Sequence, residues 1–328
     1  MRRYFISLLL TLGVIAVMLV SLFGQPVNSN DTGKIEFLVP PGQSIDQIAD
    51  ALSQVKLIRS RTVFKLTVFR YNIAKKIQAG YFFLSPSQST AEMAQSLTKA
   101  SVKQAWVTVP EGLRREEVAN LIVDKLVETK TKHRFDPDEF IRQTAKLEGR
   151  LFPDTYALGE NITTAEVIEK MTDQFNRIVA NLKIPEEKLS EVVIIASLVE
   201  REAGEDSERQ QVAGIMTKRI ANKWPLQVDA TVQYALSTSR CRIRICDWWP
   251  KSLTPADLKI VSPYNTYTNP GLPPGPIGNP GRASLEAAAK PRESKYWFYL
   301  HDLEGKIHYA ETIKEHNENV CAYLKTDC

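Results

Sequence analysis

The sequence predicts a mixed α+β protein whose N-terminus is a transmembrane helix. A pattern of apolar strand, Pro-x-Gly turn and amphipathic helix begins near residue 35 and recurs 70 residues later. Amphipathic helical patterns then follow one another between residues 137 and 240, and Asp136 before Pro137 predicts a cap at the start of the first. A hairpin with its turn near Gly305 precedes a last helix. Short strands interspersed with amphipathic helices indicate the α+β class.

The N-terminal segment has the features of a membrane anchor. Two arginines precede an uncharged, mostly apolar run from Tyr4 to Phe23, and about 20 such residues cross a bilayer as a helix. Cations before the run and none just after it predict a cytoplasmic N-terminus and an exported remainder. Because no small-x-small cleavage site follows, we expect a retained anchor over residues 1–24 and a polar linker over residues 25–33.

Two strand–turn–helix units align without a gap, so that Gly42 of the first turn matches Gly112 of the second. They predict an α+β subdomain over residues 34–130, and a change of character after it predicts a second α+β domain over residues 131–328. The first unit resembles the opening of a LysM module, which implies binding of glycans that contain N-acetylglucosamine. A packing or spacer unit without a ligand is the alternative.

Composition restricts the function classes. The chain has 328 residues with 43% hydrophobic and 24% charged residues, and its net charge of +4 gives no support for a nucleic-acid partner. No histidine has ligand spacing near the cysteines, so no metal site is predicted. In an oxidising compartment the two close cysteine pairs predict disulfides Cys241–Cys246 and Cys321–Cys328, although other pairings stay open.

One carboxylate falls on the core-facing side of a predicted helix. On a helical wheel, Ile195, Leu198 and Val199 share one face, and Glu202 lies in the middle of that face. Glu200 points away from it and is expected to be solvated. A carboxylate on an apolar face loses solvation, which raises its pKa. Glu202 is therefore a candidate general acid near neutral pH.

Other interpretations compete with acid catalysis. Glu202 is equally well explained as a buried structural carboxylate that pairs with Arg209 or Arg219. Asp154 and Tyr156 are expected to serve a turn and the core, respectively. No Gly-x-Ser-x-Gly, His-Glu-x-x-His or Ser-x-x-Lys motif stands in a convincing context, so a protease is not supported.

A long loop rich in proline and glycine begins at Ser262. Loops of this length without secondary structure are usually functional or disordered. This one carries Tyr264, Asn265, Thr266 and Tyr267, in which aromatic rings stand beside hydrogen-bonding side chains. Such a mixture suits the apolar faces and hydroxyl groups of a sugar.

Three long motifs resemble the YceG-like family of endolytic murein transglycosylases. They are residues 148–156, the paired segments 194–204 and 226–236, and residues 262–288. Their order and spacing match the family, as does the N-terminal anchor, so the resemblance runs nearly the whole chain. The cysteine-bearing insert at residues 237–252 departs from the family pattern.

The resemblance implies a protein of the bacterial inner membrane that crosses it once, with its N-terminus in the cytoplasm and its catalytic domain outside. The implied fold is a LysM-like α+β subdomain followed by a mixed α+β catalytic domain. The implied substrates are peptidoglycan glycan strands, which the family cuts internally to leave 1,6-anhydro-N-acetylmuramic acid ends. Peptidoglycan synthases are implied partners, and no cofactor is implied.

The family's catalytic glutamate lies in the Val-Glu-Arg-Glu-Ala segment, which places it at Glu202, with Glu200 as the fallback. A single carboxyl group can serve as acid and then base, because the C6 hydroxyl of the muramic ring is the nucleophile. Asp229 is alternatively the second carboxylate of a muramidase-type hydrolase or a helix cap. A glycan-binding scaffold without catalysis is a further alternative. The candidate substrate-binding residues are Gln227, Asp229, Asn265 and Tyr267.

Overall fold

The computed structural model describes residues 22–99, 104–241 and 246–324. The chain forms two compact units, which meet in sequence between Ala105 and Trp106. Helices and short two-stranded sheets make up both units, so the fold is of the mixed α+β class. The predicted anchor, Tyr4 to Phe23, lies outside the described residues except for its last two. Within the described ranges, no helix combines the length and apolar character that a membrane span requires.

In the residues of the first unit that the structure describes, three helices pack against a two-stranded antiparallel sheet. Its two strands, Ile35–Val39 and Gly80–Leu84, pair so that Ile35 lies opposite Leu84. The first and third helices begin with reciprocal capping boxes at Ser44 and Ser89, which satisfy backbone donors that a helix start leaves unpaired. The elements are β1 (Ile35–Val39), α1 (Ile45–Gln54), α2 (Arg61–Arg70), β2 (Gly80–Leu84) and α3 (Thr90–Ser96).

The second unit contains most of the helices and a larger core. A hairpin of strands lies near its end, and another strand pair lies nearer its beginning. Its elements are β3 (Gln104–Thr108), α4 (Arg115–Glu128), α5 (Pro137–Gln143), β4 (Thr155–Gly159), α6 (Thr164–Leu182), α7 (Glu186–Glu202), α8 (Asp206–Ala221), α9 (Asp229–Arg240), α10 (Arg282–Ala289), β5 (Phe298–His301), β6 (Ile307–Ala310) and α11 (Ile313–Tyr323).

The two predicted strand–turn–helix units are both present. Gly42 and Gly112 each adopt a φ of +79°, a left-handed conformation that only glycine reaches without strain. The predicted subdomain over residues 34–130 contains both strand–turn–helix units. The two compact units divide the chain after Ala105, so each compact unit contains one strand–turn–helix unit. In the second compact unit, the turn at Gly112 is hydrogen-bonded to the long loop. The Gly112 amide donates to the Asn279 carbonyl at 2.8 Å, and the Asn279 amide donates to the Leu113 carbonyl at 2.9 Å.

Helix α7 runs through the core of the second unit. Every residue from Val192 to Val199 is buried, so this part of the helix is packed on all sides. Helix α8 and helix α10 both pack against α7. The helix ends at Glu202 because Ala203 adopts an extended conformation, with φ −83° and ψ 129°. Because these apolar residues are buried, the position of Glu202 at the end of the helix is fixed relative to the core.

Several local predictions from sequence are confirmed. Asp136 caps α5 by accepting hydrogen bonds from the amides of Asp138 and Glu139. The C-terminal hairpin forms between β5 and β6, with Gly305 in the turn at a φ of +85°. A helix follows it, as the apolar pattern predicts.

The cysteine-bearing insert contains a short disulfide loop. Cys241 and Cys246 are joined, with their Cα atoms 5.8 Å apart, as the close spacing predicts. The predicted partner of Cys321, Cys328, lies outside the described residues. On the far side of the loop, Trp248 and Trp249 lie under the guanidinium groups of Arg114 and Arg201, respectively, and these cation–π contacts hold the insert against the second unit.

Candidate active site

A polar pocket of about 340 Å³ opens in the second unit at the end of α7. It brings together the end of that helix, the start of α9, strand β5 and part of the long loop. Three of the predicted substrate-binding residues line it, together with the predicted acid. The lining residues are Glu202, Arg219, Gln227, Asp229, Tyr267, Phe298, Tyr299, Ile313 and His316.

Glu202 presents its carboxyl group to this pocket from the last position of α7. Burial raises the pKa of the Glu202 carboxyl above its usual range, and the negative charge of Asp229 raises that pKa further. A hydrogen bond from the Tyr299 hydroxyl opposes this shift, as do the positive charges of Arg219 and His301. Desolvation is the largest of these effects, so the group keeps its proton to a higher pH than an exposed glutamate.

Tyr299 orients the carboxyl group of Glu202. Its hydroxyl donates to Glu202 Oε2 at 2.8 Å. Burial and the neighbouring carboxylate raise the pKa of Tyr299 well above that of a free tyrosine, so it stays a donor. Strand β5 supplies this contact because side chains alternate along a strand. Phe298 and Leu300 are buried, whereas Tyr299 and His301 point the other way, toward Glu202 and Glu208 respectively.

Replacement of Tyr299 by phenylalanine is expected to shift the pH profile of activity. The lost hydrogen bond stabilises the ionised carboxylate, so its removal raises the pKa of Glu202, and the fall of kcat at high pH moves upward. One lost orienting bond also lowers kcat about tenfold. A full pH–kcat profile of both proteins measures the shift. An unshifted basic limb would contradict the assigned contact.

Asp229 and Tyr267 form a second polar pair in the pocket. The Tyr267 hydroxyl donates a short hydrogen bond to Asp229 Oδ1. Burial, followed by this carboxylate, raises the pKa of Tyr267. Asp229 does not cap α9, because Val228 occupies the N-cap and no side chain makes a capping bond there. Asp229 is the first helical residue, where a carboxylate interacts favourably with the helix dipole.

Arg219 and Gln227 complete the polar lining. Arg219 is buried, and its guanidinium donates to the backbone carbonyls of Trp297 and Leu226. These bonds tie α8 to the segment that leads into β5, while the positive charge faces the pocket. Gln227 is exposed there, at a left-handed φ of +53°. Its backbone amide donates to the Thr266 carbonyl at 3.1 Å.

The prediction that Glu200 is solvated is wrong. Its side chain is only 7% exposed, and its Oε1 accepts from Arg209 Nη1 at 3.0 Å. Its Oε2 accepts from the Gly281 amide at 2.8 Å, at the N-cap of α10. The alternative pairing of Glu202 with Arg209 also fails, because that arginine is bound to Glu200. The fallback residue is therefore a structural link between three elements and does not line the pocket.

Replacement of Glu200 by glutamine is expected to lower the free energy of unfolding by about 2 kcal/mol, because Arg209 keeps its charge in a site that is largely closed to water. Urea unfolding measures the change. Glu187→Gln, at an exposed position in the first turn of the same helix, is the matched control. An equal change in the two variants would contradict a structural role for Glu200.

Asn265 is not brought to the pocket. The residue is fully buried, and its side-chain amide donates to the carbonyls of Leu258 and Ile260 at 3.0 and 2.9 Å. Its side-chain oxygen accepts from the Tyr267 amide at 3.0 Å. Asn265 therefore shapes the loop that presents Tyr267. Thr266 is buried as well, and its Oγ1 accepts a hydrogen bond from the Val228 backbone amide. Most of this aromatic segment is therefore structural.

Asp154 and Tyr156 make structural contacts, although Asp154 directly precedes β4 and Tyr156 is half-buried within that strand, outside the core. Asp154 accepts from the Thr155 amide and from the Gln174 side chain, at 2.7 and 2.8 Å. The Tyr156 hydroxyl donates to the Phe152 carbonyl at 2.6 Å. Neither residue belongs to the set that lines the pocket.

Tyr299 and His316 are pocket residues that sequence reasoning did not single out as functional. His316 stacks on Phe298, with ring centroids 5.1 Å apart, and burial lowers its pKa. Its Nδ1 is buried without a hydrogen-bond partner among the described residues. Both side chains follow Glu202 by about a hundred residues, and neither lies in one of the three long motifs. Only an amphipathic hairpin and helix beside the site could have indicated them.

A carboxyl group with a raised pKa, facing a polar pocket that contains a second carboxylate, is an arrangement that suits acid catalysis. The comparisons agree with this class. A sequence model of the YceG-like family matches residues 37–322, and the chain belongs to that family.

Two relatives are named endolytic murein transglycosylase. The one from Bacillus subtilis (strain 168) is 32% identical, over 92% of this chain and 88% of its own length. The one from Streptococcus pneumoniae serotype 2 is 25% identical, over 92% of this chain and 60% of its own length. A crystal structure of a YceG-like protein from Listeria monocytogenes superposes with a TM-score of 0.56 at 29% identity, covering 87% of this chain and 98% of that one.

Proposed function

We propose that this chain is an endolytic peptidoglycan lytic transglycosylase. It cleaves the bond between N-acetylmuramic acid and N-acetylglucosamine within glycan strands, limits nascent strand length, and needs no cofactor. The observation that carries the proposal is the Glu202 carboxyl group, whose pKa burial raises, facing a polar pocket and oriented by Tyr299. Family membership and the names of the relatives support the substrate class.

The reaction needs one carboxyl group. Glu202 protonates the oxygen that leaves with N-acetylglucosamine, and the bond from that oxygen to C1 of the muramic ring breaks. The ring becomes oxocarbenium-like. Its own C6 hydroxyl attacks C1 and returns its proton to the Glu202 carboxylate, so that water is not consumed. Because the nucleophile belongs to the same sugar, proximity is built into the substrate.

The remaining pocket residues bind and orient the muramic ring. Tyr267 and Asp229 provide a hydroxyl and a carboxylate joined by a short hydrogen bond, which suits contacts with sugar hydroxyl groups. Gln227 offers an exposed amide beside them. The charge of Arg219 favours the carboxylate form of Glu202 and thereby eases proton release to the leaving oxygen.

A muramidase-type hydrolase is the second candidate. Its support is the position of Asp229, an exposed carboxylate in the same pocket as Glu202, since most glycosidases use two carboxyl groups. In that reaction Asp229 would activate water or act as the nucleophile. A glycan-binding scaffold is the third candidate, although binding alone gives no reason to raise the pKa of a carboxyl group in the pocket.

Product analysis separates the three candidates. The full-length chain in detergent is incubated with uncrosslinked glycan strands, beside an Asp229→Asn variant, and the fragments are analysed by mass spectrometry. Internal fragments with 1,6-anhydro ends are expected. Reducing ends that disappear in the Asp229→Asn variant would establish the hydrolase, and strands that are bound but uncut would establish the scaffold.

We also propose the cellular setting. The apolar run from Tyr4 to Phe23 crosses the bacterial inner membrane once, with the N-terminus in the cytoplasm and both compact units outside. The two arginines before the run and its length support this orientation. The first unit is proposed to be LysM-like and to contact the glycan, and peptidoglycan synthases are proposed partners. Protease accessibility in intact cells tests the orientation.

A further inference from the structure

The segment that follows the apolar run is fastened to the first unit. The carbonyl of Gly24, one residue after the run, accepts from the Thr90 amide at the start of α3, at 3.0 Å. Four residues later the Asn28 amide donates to the Pro86 carbonyl at 3.1 Å. The beginning of the predicted polar linker is therefore bound to the first unit.

Arg59 adds a second attachment from another side of the unit. Its Nε donates to the Pro26 carbonyl at 2.9 Å, and its Nη2 donates to the Val27 carbonyl at 3.3 Å. Arg59 lies two residues before α2, so this helix begins beside the point where the chain leaves the apolar run. If the run spans a membrane, as proposed above, the start of α2 lies at its outer surface.

Helix α2 carries an exposed apolar face. Phe69 is 83% exposed and Leu66, one turn earlier, is 49% exposed, while Tyr71 follows at 48%. Residues three apart lie on the same face of a helix, so Leu66 and Phe69 form one patch. At a rise of 1.5 Å per residue, Phe69 lies about 12 Å along the axis from Arg61. The patch is therefore close to the attached segment.

The part of the chain that contains α2 is strongly cationic. Residues 55–80 contain seven lysines and arginines and no acidic residue. Two of them are neutralised, since Arg61 pairs with Asp50 and Lys65 pairs with Asp46. Among the residues that the structure describes, the other basic side chains of the segment, Lys56, Arg59, Arg70, Lys75 and Lys76, form no ion pair. Exposed aromatic and aliphatic side chains flanked by free cations are typical of a surface that binds anionic lipid.

We propose that the face of α2 formed by Leu66, Phe69 and Arg70 rests on the anionic lipid headgroups of the membrane in which the chain is anchored. The inference depends on the proposed anchor. The partner of this face is the lipid surface. The residues that follow the apolar run are hydrogen-bonded to the first unit and therefore hold that unit close to the bilayer. The Phe69 ring enters the headgroup region, and the cations contact lipid phosphates. This contact would fix the orientation of the first unit above the membrane.

Photocrosslinking tests the contact. The full chain is reconstituted into vesicles that contain phosphatidylglycerol, with p-benzoylphenylalanine in place of Phe69 in one protein and of Phe83 in another. Phe83 is the matched control because it is an exposed phenylalanine of β2, whose neighbours Phe82 and Leu84 point the opposite way into the core with α2. Thermal unfolding shows that both proteins are folded.

Severalfold more lipid adduct is expected at position 69 than at position 83, with a decrease in vesicles of phosphatidylcholine alone and at high salt. Equal labelling at the two positions, or none at position 69 in a chain that floats with the vesicles, would overturn the inference and leave the anchor standing. A chain that does not float with the vesicles after alkaline washing would overturn both the anchor and the inference.

Discussion

The Glu202→Gln variant is expected to lose glycan cleavage by a factor of about a thousand or more, equivalent to about 4 kcal/mol in the activation free energy. Glutamine has nearly the same shape and can still accept the hydrogen bond from Tyr299, but it has no proton to give to the leaving oxygen. Because Glu202 loses solvation where it stands, its replacement by a neutral side chain does not weaken the fold. Single-turnover cleavage of defined glycan strands measures the loss.

Two variants of the same helix make this result specific. Glu187→Gln removes an exposed carboxylate from the first turn of α7 and is expected to leave cleavage unchanged. Glu200→Gln removes the carboxylate that binds Arg209 and the Gly281 amide, so its expected effect is on stability. Loss of the chemical step in a folded Glu200→Gln protein, with Glu202→Gln active, would show that the wrong carboxylate has been assigned as the acid.

Local patterns in the sequence predict much of what surrounds the proposed acid. Gly42 and Gly112 mark two turns because a left-handed φ favours glycine, and each turn follows a strand. Asp136 before a proline marks a helix start because the side-chain cap and the proline act within one turn. The helical wheel puts Glu202 on the same face as Ile195 and Leu198, and the structure buries both of those side chains.

The errors arise where distant segments meet. The wheel assumes that one face of α7 is in water, but α8 and α10 also cover it, so Glu200 receives Arg209 from one helix and the Gly281 amide from the start of the other. The neighbours of Asn265 in sequence predict that it binds sugar, whereas its side-chain amide donates to carbonyls of its own loop. Tyr299 reaches Glu202 across 97 residues, a contact that no local pattern encodes.

The site also depends on a close approach between helix α8 and the segment that leads to β5. Gly214 lies inside α8, where glycine usually weakens a helix by about 1 kcal/mol relative to alanine. A Cβ atom at this position would overlap the carbonyl oxygen of Arg292. The Arg292 amide is itself bound to the Gln210 carbonyl at 3.0 Å, so this backbone cannot move away without losing a hydrogen bond.

Gly214→Ala is therefore expected to lower the free energy of unfolding by about 3 kcal/mol or more, because overlap with backbone is relieved only by separating the two segments. Urea unfolding measures the change, and Ser207→Ala in the exposed first turn of α8 is the control. Separation would also displace Trp297, which binds Arg219, and Tyr299 beyond it, so cleavage falls with stability. A more stable Gly214→Ala protein, as helix propensity alone predicts, would show that this contact does not position the acid.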